Sequence, residues 1–377
     1  MTMAAVASLD AQTDAGVHVS FVVPAYNAAS TLPACIAALR ASAPAGSEIV
    51  VADDCSTDDT AAIAERLADV VVRRPRQGGA AHCRNDAARA ANGRILVFTD
   101  ADVTVTPAAV AGVLGHLQHG ADVVFGAYGA LPGHSARGLA SVYKNLLHHY
   151  THLSCAGYAT TFWSGFGAMR KDVFWAVGGF DTASTRSADV EDIHLGYRLS
   201  GAGYRIVLDP ALQVTHHKDY TVRRIVISDV VHRAIPWTRA MIQLRTFHAD
   251  LNLRPSALFS GVLAGATVAD LVATPFLGVR NLLSVGLLLV AWLWSARGFI
   301  GYVRRHSDAR TTVGAAALFF LYFLYSPIGL LVGLLGYPFK GRWKPTIDLT
   351  GIAVDLGAVP EVSKVGQAMH LPSVQEV

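Results

Sequence analysis

The run ILVFTDADVTV, residues 95–105, carries an apolar stretch straight into two aspartates separated by one alanine. Asp100 and Asp102 cannot sit as an unpaired charged pair at a buried strand end without large cost. Two chemistries use such an arrangement. In phosphoryl transfer the first Asp is the nucleophile and the second an acid. In a nucleotide-diphosphate clamp the pair reaches a divalent cation. A turn with solvated carboxylates is the third reading, and the rest of the chain must decide among them. Further polar groups stand beside apolar runs in PAYN (24–27), ADD (52–54), VEDIHL (190–195) and VTHH (214–217).

The elements around these residues follow from periodicity. VHVSFVVPAYN, EIVVADD, VVVR and RILVFTD read as β-branched, buried strands. STLPACIAALRAS, STDDTAAIAERLA and GGAAHCRNDAARAANG between them read as helices. This β-α alternation predicts an α/β fold with a mostly parallel sheet and helices on both faces. Ligands of such sheets bind outside the carboxyl ends of the strands, where PAYN, the Asp53–Asp54 pair and DAD all fall. A nicotinamide site needs G-x-G-x-x-G after the first strand, and VVPAYNAAS has no glycine. DADVT matches the D-x-D-x-T of phosphatase-like enzymes, but it ends the fourth strand instead of the first, and no G-D-x-x-x-D follows.

Charge is distributed unevenly. The 377 residues are 52% apolar and 16% charged, few charges for a soluble enzyme. From Ser256 to Phe339 charges nearly vanish, leaving Asp270, Arg280, Arg297 and a cluster from Arg304 to Arg310. Membrane insertion explains this asymmetry. Ser256–Val279, Asn281–Val303 and Thr311–Phe339 each reach the roughly 17–25 residues a crossing needs. Pro327 offers the third a point at which to break or re-enter. Arg304, Arg305 and Arg310 place their loop in the cytoplasm, whereas three full crossings put Lys340, Arg342 and Lys344 outside. The preceding residues 222–255, with arginines among large apolar residues, read as amphipathic helices lying on an anionic membrane surface. A net charge of +3 gives no argument for nucleic acid. Four cysteines (Cys35, Cys55, Cys83, Cys155) without C-x-x-C spacing fit reduced thiols in a cytoplasmic domain. Residues 1–16 read as a loose tail, and 340–377 as a second one.

Across about residues 17–250 the motifs, in this order, resemble family-2 glycosyltransferases of the GT-A fold. VVPAYN resembles the opening nucleotide-contacting loop, and VADDCSTDDT the second strand end. GGAAHCRNDAARAANGRILVFTDAD resembles the stretch that runs to the metal-binding D-x-D. SGFGAMRKDVFWAVGGFD resembles the loop and strand before the acceptor site, and ADVEDIHLGYRLSGAGYRI the helix with the catalytic E-D pair. The resemblance implies a catalytic domain over residues 17–221 and a nucleotide-sugar donor, read as a uridine diphosphate sugar. It implies a divalent cation, Mn²⁺ or Mg²⁺, held by Asp102, Asp100 and His216, with His217 the adjacent alternative. Pro24, Tyr26, Asn27, Asp53 and Asp54 would contact the nucleotide, and Arg84 would pair with phosphate. Gly165 and Gly167 would let backbone approach the donor. Of Glu191 and Asp192, whose side chains point about 100° apart on a helix, the family pattern makes Asp192 the base.

Polymer-forming members carry Q-x-x-R-W before the spans. Here RAIPW keeps only Trp237, which the resemblance assigns to the acceptor site. That departure, and the few spans available to form a channel, count against a processive polysaccharide synthase. The resulting expectation is a membrane-anchored, metal-dependent, inverting transferase that moves one sugar to a lipid acceptor. A catalytically silent nucleotide-sugar-binding scaffold is the alternative from another class, and the intact D-x-D, E-D pair and histidine argue against it.

Overall fold

A computed structural model of the chain describes residues 18–133, 138–182, 190–244 and 255–336. Its first four strands are β1 (Val19–Ala25), β2 (Ser47–Asp53), β3 (Val70–Arg73) and β4 (Ile95–Thr99). They pair in parallel in the order β3-β2-β1-β4. Their central members are buried on both faces. Phe21, Val23, Ile49 and Val51 enter one core, and Val22, Val50 and Ala52 enter the other. This two-sided burial is why they read as unbroken apolar runs. Helices α1 (Leu32–Ser42), α2 (Thr60–Leu67) and α4 (Pro107–Gln118) close the first core. Helices α3 (Ala80–Ala90), α6 (Lys171–Ala176) and α7 (Glu191–Gly201) close the second.

Beyond β4 the sheet is mixed, so the mostly parallel pattern describes only its first half. β8 (Phe166–Arg170) runs antiparallel to β4 and to β6 (Val123–Tyr128). β9 (Ile206–His216) runs parallel to β6, while β5 (Val103–Thr104) and β7 (Gly157–Ala159) pair antiparallel with β9. The helix between β6 and β8 is α5 (Leu139–Leu153). It packs apolar surface on helices of the C-terminal half and also touches the sheet, where Asn145 donates to the Gly129 carbonyl and His152 meets the Phe125 ring. Two pairings have functional consequences. Thr99 opposite Phe166 brings the residues before β8 to the D-x-D, and Val103 opposite His216 brings the histidine there.

The C-terminal half contains α10 (Pro255–Leu277), α11 (Leu282–His306) and α12 (Ala309–Leu335), each long and apolar enough to cross a membrane. Their outer faces leave Phe276, Leu283, Trp294 and Val313 exposed, an apolar surface that water would penalise and lipid would not. Inward, Trp292 and Phe299 of α11 and Phe319 and Phe323 of α12 form one core with Tyr143 and Leu146 of α5. α12 remains helical through Pro327, so the break that this residue would allow does not occur.

The segment before the spans departs from a helix lying free on a surface. It runs as α8 (Val222–Ile227), a π-helical stretch (Ser228–Ala234) and α9 (Ile235–Leu244), and one side of it packs on α12. The approach is close: a Cβ on Gly329 would lie 2.5 Å from the Ala234 Cβ. Arg223 and Arg224 stay exposed, as a surface helix requires. Arg233 instead faces an interior cleft. Arg245 and Arg254 lie outside the described residues.

Candidate active site

A cleft of about 1580 Å³ opens outside the carboxyl ends of β1, β2 and β4. A single drug-sized ligand occupies roughly 300–1,000 Å³, so the space suits two reactants. Pro24, Tyr26, Asn27 and Asp54 line one part. Arg84, Asp100, Asp102, Gly165 and His216 line another, and Glu191, Asp192 and Trp237 lie on the same wall. Two expected residues are not on it. Asp53 is buried and accepts from the Ser56 N–H at 3.3 Å, which shapes the loop after β2. Gly167 is packed beneath: a Cβ there would lie 2.5 Å from the Phe162 ring. Gly165 does line the cleft, but its missing Cβ makes room for Trp163, since a Cβ there would lie 2.3 Å from that ring. Both glycines therefore serve aromatic neighbours before any donor.

At the nucleotide end Tyr26 is 47% exposed, and Asn27 beside it is exposed too. Asn27 adopts φ 48°, in the left-handed region, where Asn is tolerated better than most residues. Its Oδ1 accepts from the Thr57 N–H at 2.8 Å and ties the β1 loop to the β2 loop. Asp54, expected at base or ribose, spends its oxygens otherwise. It accepts from Arg74 Nη1 and the Gly78 N–H, both at 2.9 Å, and from the Gly79 N–H at 2.7 Å. These bonds hold the glycine turn before α3 against the β2 loop.

The D-x-D divides into two environments. Asp100 is drawn to Arg84 Nη2 at 2.6 Å. Burial still pushes its carboxyl above the ordinary value, against the pull of Arg84. Asp102 Oδ2 stands 3.6 Å from His216 Nε2. Burial pushes Asp102 up, but His216 and Lys218 outweigh it and hold the carboxyl below its ordinary value. The His216 ring stacks on Tyr128 at 4.1 Å and 5°, which fixes where Nε2 points. His217, on the other side of the strand, is engaged through Nε2 with Thr104 Oγ1 at 2.9 Å. Among the described residues no cluster of three or more His, Cys, Asp or Glu forms a ready-made metal cage. One carboxylate oxygen and one imidazole nitrogen near each other still fit Mg²⁺ or Mn²⁺, because such ions commonly take a few protein ligands and fill the rest with substrate phosphates and water.

Arg84, expected on phosphate, is already committed to carboxylates. Its guanidinium is 4% exposed and donates to Glu191 Oε1 at 2.7 Å as well as to Asp100. Burial opposes its charge, and the two acids outweigh burial and raise its pKa. Glu191 is thereby held in the wall. Asp192, next on α7, is half-buried and accepts from the Ile193 N–H at 2.8 Å and, weakly, from the Ser164 N–H at 3.5 Å. Burial and the Glu191 charge push its carboxyl up to about 7. Removing one member of a buried pair leaves the other charge uncompensated, at a cost of about 3–5 kcal/mol. Arg84→Met is therefore expected to lower the unfolding temperature of the full chain in detergent markedly, and Arg84→Lys less. A melting curve for Arg84→Met that overlays wild type would contradict the bridge.

Trp237 lines the cleft, with Nε1 donating to the Tyr197 hydroxyl at 2.9 Å. Sequence reasoning misses several groups of this wall. Tyr128, Trp163, His148 and His152 form an aromatic cluster along it, with ring centroids 4.1–5.4 Å apart in neighbouring pairs. Lys144, Asp229 and Arg233 line it too. The one local signal for the last group is an acid and a base four apart, Asp229 and Arg233.

Residues 20–178 match the family described as Glycosyl transferase family 2. The O-antigen chain rhamnosyltransferase WbaN of Salmonella anatum is 28% identical over 233 residues, 58% of this chain and 73% of that protein. WfaP of Escherichia coli, named a UDP-Glc:alpha-D-GlcNAc-diphosphoundecaprenol beta-1,3-glucosyltransferase, is 34% identical over 87 residues, 22% of this chain and 35% of that protein. Among solved structures, the mannosyltransferase PcManGT of Pyrobaculum calidifontis, in complex with GDP-Man and Mn²⁺, superposes with a TM-score of 0.53 at 18% identity. That alignment covers 86% of this chain and 88% of the other, and shows a shared GT-A-like fold. Residues 20–178 are thus a family 2 glycosyltransferase domain, and the chain that carries them is a glycosyltransferase.

Proposed function

We propose that this enzyme moves a single sugar, with inversion, from a uridine-diphosphate sugar to a lipid acceptor at the membrane surface. One observation carries the reading. The cleft that contains Asp102 and Asp192 is also lined by Leu258 and Val262 of α10 and by Tyr322 and Pro327 of α12. A wall built from helices apolar enough to cross a membrane suits an acceptor whose tail remains in lipid. The name of WfaP, with its UDP-glucose donor and lipid-linked acceptor, agrees with this reading.

In this mechanism Tyr26 stacks on the base. Asp102 and His216 would hold a divalent ion, which when bound neutralises charge on the departing diphosphate. The acceptor oxygen bonds to the anomeric carbon as the bond from that carbon to the diphosphate breaks, and the hydroxyl proton passes to the Asp192 carboxylate. The aromatic wall and Trp237 limit water around the reacting carbon. The catalytic domain lies on the cytoplasmic side of the inner membrane in this reading, the side favoured for Arg304, Arg305 and Arg310.

The test is transfer itself. Full-length protein in detergent, given labelled UDP- and GDP-sugars and extracted lipids, is expected to move label into the lipid phase from a UDP-sugar, one sugar per lipid. Label appearing only in water-soluble polymer, without lipid, would overturn the reading.

A further inference from the structure

The sequence assigns donor phosphate to Arg84, and the structure commits that guanidinium to Asp100 and Glu191 instead. Four further Lys and Arg side chains among the described residues line the cleft: Lys144, Lys218, Arg224 and Arg233. Lys144 donates to Asp229. Burial opposes the Arg233 charge, and Asp229, Tyr220 and Asp192 outweigh it, so that charge is balanced within the wall. Arg224 is exposed on α8. Of the four, Lys218 is the one whose charge reaches both aspartates of the D-x-D.

The backbone puts it there. β5 pairs with β9 so that Val103 stands opposite His216, and the His217 N–H then donates to the Asp102 carbonyl at 2.9 Å. Lys218 is the next residue, one Cα spacing of about 3.8 Å further on. Beyond it, the Tyr220 N–H donates to the Ser141 hydroxyl of α5 at 2.8 Å. That hydroxyl donates to Asp219 Oδ1 at 2.6 Å, so the acid adjacent to Lys218 is engaged by α5. Between these fixed points the Lys218 side chain is exposed, with Nζ 5.8 Å from the centre of the Tyr220 ring. The carboxylates it meets are Asp102 and Asp100. Asp100 is in contact with Arg84, and Asp102 stands beside His216.

The reaction gives such a cation a task. As the bond from the anomeric carbon to the diphosphate breaks, its electron pair stays on the leaving oxygen, and the diphosphate gains one negative charge. A divalent ion shared with Asp102 is partly neutralised by that carboxylate. A second cation at the same loop supplies further compensation, and in a cleft that limits water each such charge counts for more. A lysine suits this role: its ammonium is a compact charge on a flexible stem and follows a phosphate without a fixed fork. Building on the uridine-diphosphate-sugar reading, we propose that Lys218 binds the donor diphosphate directly and meets the charge that develops on it. The ammonium keeps its protons throughout; the one proton that moves is the acceptor hydroxyl's, to Asp192.

The sign of one affinity change tests this. If Lys218 only offsets the two aspartates, removing it leaves more negative charge for the metal, and nucleotide binding with Mn²⁺ tightens. If it binds the diphosphate, removing it weakens that binding. Full-length protein in detergent with saturating Mn²⁺ is titrated calorimetrically with uridine diphosphate and with UDP-glucose, and uridine is measured by displacement of uridine diphosphate. Lys218→Gln is expected to weaken uridine diphosphate by about 10-fold or more, the usual worth of a hydrogen bond to a charged group. Uridine should stay within about twofold. Lys218→Arg should keep most of the affinity. UDP-glucose, whose diphosphate carries one charge fewer than the departed leaving group, should lose less than uridine diphosphate.

The outcomes separate. Unchanged or tighter uridine diphosphate binding in Lys218→Gln overturns the proposal. So does a loss of uridine affinity as large as that of uridine diphosphate, which would place the effect at the nucleoside. Equal losses for uridine diphosphate and UDP-glucose overturn the part played in the departing charge. Wild type that binds guanosine diphosphate but not uridine diphosphate overturns the uridine reading alone, and guanosine diphosphate against guanosine then decides on Lys218 in the same way. Wild type that binds neither overturns both. Lys218 is exposed, so the melting temperature of Lys218→Gln should match wild type, and Lys218→Met provides a second variant for the same titrations.

Discussion

Asp192→Asn is expected to cut turnover by roughly 10²–10⁴-fold, the usual worth of general base catalysis. Asparagine has nearly the same size and still accepts the Ile193 N–H, but it cannot take a proton from the acceptor at neutral pH. Donor affinity should barely change, since Asp102, His216 and Tyr26 are untouched, so the loss falls on kcat more than on KM. Glu191→Gln is the internal comparison. Glu191 is bonded to Arg84 at 2.7 Å, so its loss should cost stability and only a smaller part of kcat. If Glu191→Gln abolishes transfer while Asp192→Asn retains it, the roles are reversed; if both transfer normally, the mechanism fails. The pH profile gives a second readout. A base works only when ionised, and Asp192 is pushed up to about 7. As pH falls below about 7, protonation of Asp192 should lower kcat/KM about tenfold per unit. The like charge of Glu191 contributes to that shift, so Glu191→Gln should move the acidic limb to lower pH. A limb that stays in place would remove the electrostatic link between the two.

Asp102→Ala should abolish metal-dependent donor binding. Without that carboxylate, the donor diphosphate brings its charge into a partly desolvated cleft with poor compensation. His216→Ala should weaken donor binding by at least the about 10–100-fold that outer-shell changes already cost at metal sites. Calorimetric titration of uridine diphosphate, with Mn²⁺ and again with chelator, measures both. An affinity that is the same with and without chelator in wild type would remove the metal clamp from the mechanism. Asp100→Ala discriminates further. Because Asp100 is bonded to Arg84, its loss should disturb the Glu191 bridge as well as the donor, and melting temperature should fall along with affinity.

Much of the site is visible in local chemistry. The D-x-D, the E-D pair and the histidine at the end of VTHH are polar residues at the ends of apolar elements, and desolvation cost alone asks what they hold. The partners of each charge are less visible. Arg84 is four residues past a Gly-Ala turn and looks like a phosphate ligand, yet it bridges Asp100 and Glu191, the latter 107 residues away. Asp54 likewise looks free in sequence, and its oxygens close the glycine turn instead. Arg233 reads as one of several surface arginines, and only the packing of its segment against α12 makes it line the cleft.

By itself the sequence determines the four parallel strands and the helices between them, since period and apolarity are local properties of the chain. It also determines three helices long and apolar enough to cross a membrane, which needs only length and hydropathy. The tertiary structure alone decides that β8 enters antiparallel between β4 and β6, and that β5 pairs with β9 to bring His216 to Asp102. It alone decides that α5 docks on α11 and α12, and that the long apolar helices α10 and α12 become part of the cleft wall. The physical reason is the same in each case. Strand direction, register and the partner of a buried charge are set by contacts such as that of Thr104 with His217, 113 residues apart, and no local period encodes them.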